Sequence, residues 1–284
     1  MPDPALFIGV VSHEDSRYAM SQGPTGLASR LAEVMPGVEV QINVVDLLPT
    51  GSPLVSAAGV QASLTAEARL EAIWARFLRR PRNLRWLGFR TSRWANRAWQ
   101  RVSPPSPAML RRLLNIELSH LDLMRRGLGS RAPWVLILED DAFASDIPDL
   151  SGGIAGLMSG AGRAGGVGYM NLSESFTPRE LGIEHLLEPA GVEWGGSAAR
   201  SVMAASRPVT NTVCAIFYSS GFLGGLLAAM DALPLEPVVP IDWKLNMALM
   251  ALHEAGQAPL GTCWLVEPAP IAQMSMHPAA ILPS

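Results

Sequence analysis

Residues 134–143 read WVLILEDDAF, five apolar residues running directly into the carboxylates Glu139, Asp140 and Asp141. The short apolar run reads as a buried strand. Three adjacent acids where a strand leaves the core repel one another and have little room to spread into water. The pattern therefore calls for a positive partner. In an extended segment alternate side chains point to opposite sides, so Glu139 and Asp141 converge while Asp140 turns away. Their hard oxygens suit Mg2+ or Mn2+, which take one or two protein carboxylates and fill the remaining positions with phosphate oxygens and water. Capping of the following turn by solvated acids explains the three letters equally well. An acid cluster of the phosphoryl-transfer receiver type is a weaker alternative, with Glu14 and Asp15 as the acids at the first strand end.

Working outward, ALFIGVVS, GLASRLAEVM and VEVQINVV read as strand, helix and strand, with Gly23–Pro24 and Pro36–Gly37 as breaks on either side of the helix. SPAMLRRLLNIELSHLDLMRRGL predicts a long helix that delivers the chain to the acidic strand. Beyond the acids, GVGYMNL, TVCAIFYS and LGTCWLV read as strands, and GFLGGLLAAMDAL and DWKLNMALMALHEAG as helices. This alternation predicts an α/β fold with a mixed, mostly parallel sheet flanked by helices. Ligands of such sheets bind beyond the carboxyl ends of the strands, where the acids fall.

The chain has 284 residues, enough for one large α/β domain at roughly 100–200 residues per domain and often more, and we expect a single domain over 1–284. Hydrophobic residues make up 49%, yet no apolar run approaches the ~20 residues that span a bilayer. The opening MPDPALFIGVVS carries an acid and no basic flank, so it reads as a strand rather than a signal peptide, and a cytoplasmic protein is expected. Cys214 and Cys263 both sit in apolar segments, which favours buried free thiols over a disulfide.

Several segments together resemble the family 25 glycosyltransferases, which include lipopolysaccharide and collagen galactosyltransferases. They are the opening turn with Asp15 and Arg17, the helix NIELSHLDLMRRGL, the strand WVLILEDDA, YSSGFLGGLLAAM, PVVPIDWKLNMALM and the closing PAPIAQMSMHP. The resemblance covers most of the chain in order, except residues 47–106, and the first strand lacks the family's arginine-rich beginning. It implies a GT-A-like fold and a hexose, galactose or glucose, moved from a nucleotide-sugar donor to a hydroxyl of a glycan or lipid-linked acceptor. It implies dependence on Mn2+ or Mg2+ and inversion at the anomeric carbon. Carried over by position, Asp141 is the metal ligand, and His277 in the closing segment reads as solvent-exposed tail or as a further ligand. Glu139 and Asp140 belong to the donor site, with Asp15 and Arg17 in the opening turn as donor contacts; His13, by its own place at the first strand end, is read as a nucleotide contact.

Asp242 in PIDWKLNMAL is the candidate catalytic base, because an inverting transfer needs a group to take the acceptor hydroxyl proton. Its structural alternative is capping of the helix after Pro240, and Asp231 is a poorer candidate inside a helical pattern. Trp243 suits either sugar stacking or core packing. His120, His185 and His253 have no metal-ligand spacing and read as surface or satisfied core residues. The glycines of SGFLGGLL lack the dinucleotide spacing and are expected to permit close packing.

Residues 65–112 hold twelve arginines against Glu67 and Glu71, about +10 in a chain of net charge −3. Four of the eight tryptophans fall between residues 69 and 101. This segment is expected to be a basic helical insertion. It suits a helical cover over the core with Trp74, Phe77 and Leu78 inward, or peripheral contact with an anionic membrane at its inner face. Nucleic acid is the least favoured partner. A noncatalytic membrane- or nucleic-acid-binding protein built on a degenerate transferase domain is the alternative function.

Overall fold

The computed structural model describes residues 5–12, 26–43, 55–78, 106–164, 168–173, 177–207, 212–257 and 262–275, with positions 91, 95 and 210. The strands are β1 (Leu6–Val11), β2 (Val38–Asn43), β3 (Trp134–Glu139), β4 (Ala142–Phe143), β5 (Tyr169–Asn171), β6 (Leu187–Glu193), β7 (Ser201–Ala205), β8 (Ala215–Ser219), β9 (Cys263–Glu267) and β10 (Ala272–Gln273). The helices are α1 (Leu27–Val34), α2 (Ala57–Phe77), α3 (Pro107–Gly129), α4 (Ile147–Ala164), α5 (Pro178–Leu181), α6 (Ser220–Asp231) and α7 (Ile241–Glu254).

Eight strands form one mixed sheet in the order β2-β1-β3-β8-β5-β9-β7-β6, and β4 pairs with β10 in a separate two-stranded sheet. The expectation of a mostly parallel sheet is corrected. β1 is parallel to β2 and β3, and β5 to β9, but β8 runs antiparallel to both its neighbours and β7 to both of its own. The physical cause is local. β6 and β7 are joined by only seven residues, too few for the crossover a parallel pair requires.

Alternation along the strands separates two cores. Leu6, Ile8 and Val10 face α1 and α4 together with Leu136 and Leu138, whereas Phe7, Val11, Val135 and Ile137 face α3, α6 and α7. Helix α3 comes unusually close to the sheet. A Cβ on Gly9 would meet Ile137 Cδ1 at 2.9 Å and Leu123 Cβ at 3.1 Å, and one on Gly127 would meet Val135 Cγ1 at 2.7 Å. Gly127 thus lies against the start of β3 and Leu123 against its middle. One turn further back along the same helical face, His120 reaches the end of β3.

Helix α2 begins at Ser56, whose side chain accepts from Gly59 N–H at 3.1 Å. At its other end Trp74, Phe77 and Leu78 are buried, and Trp74 packs edge to face on Trp243 with centroids 5.7 Å apart. The first part of the basic segment is therefore core cover, as one reading of its sequence expected. Eight of its twelve arginines, between Arg79 and Arg101, lie outside the described residues. Among the described residues no helix is long and apolar enough to cross a membrane.

Candidate metal centre at the end of strand β3

Three stretches far apart in sequence meet where β3 ends. The end of β1 leads into Ser12, whose Oγ donates to Asp140 Oδ2 at 2.8 Å. The segment entering β8 supplies Cys214, whose carbonyl accepts the Glu139 N–H at 2.8 Å. The closing segment returns as β10 beside β4, pairing Gln273 with Ala142, and the Met274 N–H donates to the Asp141 carbonyl at 2.9 Å. Its side chains then reach the acids. Gln273 Nε2 donates to Glu139 Oε2 at 3.3 Å, and Ser275 Oγ to Asp141 Oδ2 at 2.5 Å.

The convergence read from the sequence holds, although Asp140 and Asp141 form the turn between β3 and β4 rather than continuing the strand. Asp140 turns to Ser12, whereas Glu139 and Asp141 converge with Cys214, their ligand atoms all within 4.8 Å of one another. Burial pushes the Asp141 carboxyl above its ordinary range. Ser275 pulls it back, and the charges of Glu139 and Asp140 push it up again. The Cys214 thiol is raised well up, first by burial and then by Glu139 and Asp141, and it donates to Asp141 Oδ1 across 3.8 Å. A divalent cation would relieve this accumulated negative potential. Two convergent carboxylates fit a hard cation, and the group Glu139, Asp141 and Cys214 could hold a metal ion.

Asp242 lies in the first turn of α7, whose N-cap is Pro240, so it is not the cap itself. Burial pushes its carboxyl up to about 6; the Trp243 N–H pulls it down, and the charges of Glu67 and Glu139 raise it. It is thus within Coulombic reach of the acidic strand end. Trp243 is buried against Trp74, which corrects the sugar-stacking option. Asp231 pairs with Arg125 on the surface, both about half exposed. The close-packing expectation for the glycines of α6 is also corrected. Among the described residues, a Cβ on Gly221 or Gly225 would meet nothing within 4 Å, and one on Gly224 only Leu128 at 3.9 Å.

His13, Asp15, Arg17 and His277 lie outside the described residues. The residue that sequence reasoning passed over is His120. Its ring is buried, and Nε2 lies 3.6 Å from Glu139 Oε1 with no hydrogen-bond partner among the described residues. Only the helical spacing from Gly127 and Leu123 could have pointed to it. His185 instead meets the Leu78 carbonyl at 3.1 Å, and His253 packs on Phe77. No protein-family model matches the chain, and no curated protein matches it.

Proposed function

We propose that the protein is a nucleotide-sugar-dependent glycosyltransferase of GT-A type. It moves a hexose, galactose or glucose, to a hydroxyl of a glycan or lipid-linked acceptor with inversion. The observation that carries this reading is the clasp of the acidic strand end by the closing segment, in which Gln273 meets Glu139 and Ser275 meets Asp141. Those two segments, 134 positions apart, are among the stretches on which the family resemblance rests.

Glu139 and Asp141 would hold Mn2+ or Mg2+, and such an ion stabilises the charge that grows on a departing diphosphate. Ser12 fixes Asp140, and Ser275 fixes Asp141, so the carboxylates keep their orientation in the absence of substrate. Asp242 takes the acceptor hydroxyl proton. A carboxyl raised to about 6 is a better matched base near neutrality than an ordinary aspartate. The anionic-membrane role of the basic segment remains part of the proposal for its arginines beyond Leu78, and Trp74, being buried, contributes nothing to it.

Incubation with uridine and guanosine diphosphate hexoses, Mn2+ and a hydroxyl acceptor tests the reading by release of nucleoside diphosphate. Acceptor-dependent release that Asp242→Asn lowers by at least about 100-fold supports it. Release that is indifferent to Asp242 removes the base, and no release across the panel rejects the activity.

A further inference from the structure

The third corner of the acidic site is sulfur, and its fourth neighbour is nitrogen. Cys214 Sγ is fully buried, and its own carbonyl accepts the Glu139 N–H, so the main chain fixes the thiol at the level of the acids. The ligand atoms of Glu139, Asp141 and Cys214 lie within 4.8 Å of one another. A separate observation also points to a ligand. His120 Nε2, on helix α3, is buried with no hydrogen-bond partner among the described residues and faces Glu139 Oε1 at 3.6 Å. Native structures rarely leave such an atom unsatisfied, and a cation that fixes Glu139 would give this nitrogen its role as the donor that holds a ligand carboxylate.

Mg2+ and Ca2+ favour oxygen, whereas thiolate sulfur and imidazole nitrogen favour cations of the Zn2+ class. We propose that this centre selects a thiophilic divalent cation over Mg2+, with Cys214 as a ligand beside Glu139 and Asp141 and with His120 backing Glu139. The inference deepens the cation site of the proposed function and rests on it. When the sulfur–metal bond forms, the thiol proton leaves to water, one proton per cation bound. His120 acts as a ligand carboxylate's outer partner, an arrangement whose loss typically weakens metal binding by about 10- to 100-fold.

Cd2+ alone is the probe, added to the full reduced chain, with the ultraviolet thiolate-to-cadmium charge-transfer absorption as readout. The band should saturate at about one Cd2+ per chain and survive about a tenfold excess of Mg2+ over Cd2+. Cys263→Ser should keep it, and Cys214→Ser should lose it. His120→Asn should weaken Cd2+ binding by about 10- to 100-fold while keeping the band. Binding with no band, or a band that depends on Cys263, overturns the thiophilic site and leaves the carboxylate site standing. If Cd2+, Mn2+ and Mg2+ all fail to bind, both this inference and the cation of the proposed function fall. Should Cys214→Ser not fold, the parent and Cys263→Ser still decide the outcome.

Discussion

Lys244 Nζ donates to Glu117 Oε1 across 2.8 Å with both side chains buried, joining the helix that carries Asp242 to the helix that carries His120. Lys244 is the only lysine of the chain. Burial raises the Glu117 carboxyl, while the hydrogen bond and charge of Lys244 pull it back. Removing one partner leaves the other charge buried and unpaired. Lys244→Met should therefore destabilise the fold by about 3–5 kcal/mol. Adding Glu117→Leu should recover much of that loss, as a double-mutant cycle in denaturant would measure. Additive losses would mean that the two residues are not coupled.

Asp242 makes stability depend on pH in a defined direction. Its carboxyl moves from the ordinary 3.8 to about 6 in the folded chain, so the fold favours the protonated form. The stability this contributes is complete below 3.8 and is lost as pH rises through about 6. Asp242→Asn should flatten that fall. Melting temperatures of the metal-free protein should show the variant losing less than the parent between about pH 4 and pH 7. Parallel melting curves for the two proteins would refute the shift.

Glycines on two helices should respond in opposite directions. Among the described residues nothing lies within 4 Å of a Cβ on Gly225 of α6, so Gly225→Ala should stabilise by about 0.5–1 kcal/mol through helix propensity. In α4, a Cβ on Gly156 would meet Gly195 Cα and N at 2.8 Å, and one on Gly153 would collide with the Trp194 ring. Gly156→Ala should destabilise by about 1–3 kcal/mol. Equilibrium unfolding of the two variants checks both signs.

The same α4 contact explains much of what could not be read in advance. Five glycines interrupt its helical pattern, yet Gly152 and Gly156 let its backbone reach the loop at Gly195, and Asp149 anchors that loop. Asp149 accepts from Trp194 Nε1 at 3.1 Å, Ala198 N–H at 2.7 Å and Arg200 Nε at 3.0 Å. These are tertiary contacts with no local signature. Strand β6 escaped for a related reason. It is an edge strand that contains Pro189 and is mostly exposed, so its apolar alternation is weak. The central strands and α3 were legible because burial imposes strong apolar patterns on them. At the site, the convergence of Glu139 with Asp141 was expected from strand alternation, and the turn at Asp140–Asp141 delivers it instead. Cys214 and His120 were not expected there, because their approach depends on β8 entering antiparallel and on α3 packing closely at Gly9 and Gly127.

Asp141→Asn should separate the metal from the fold. The change removes charge with little volume and leaves an oxygen to accept from Ser275, so the melting temperature should hold within a few degrees. Mn2+ affinity should fall by at least about tenfold. Unaltered Mn2+ binding in a folded variant would place the cation elsewhere.

Calorimetric titration of the parent chain with nucleotide-sugar donors, with and without Mn2+, tests the central claim most directly. The account predicts that one donor class binds with Mn2+, that its affinity falls sharply when the cation is removed, and that Asp141→Asn reproduces this fall in the presence of Mn2+. At 100 times its dissociation constant the donor should also stabilise the fold by roughly 2.7 kcal/mol. Donor binding that ignores both Mn2+ and Asp141, or no donor binding with Mn2+ in excess, would contradict the account.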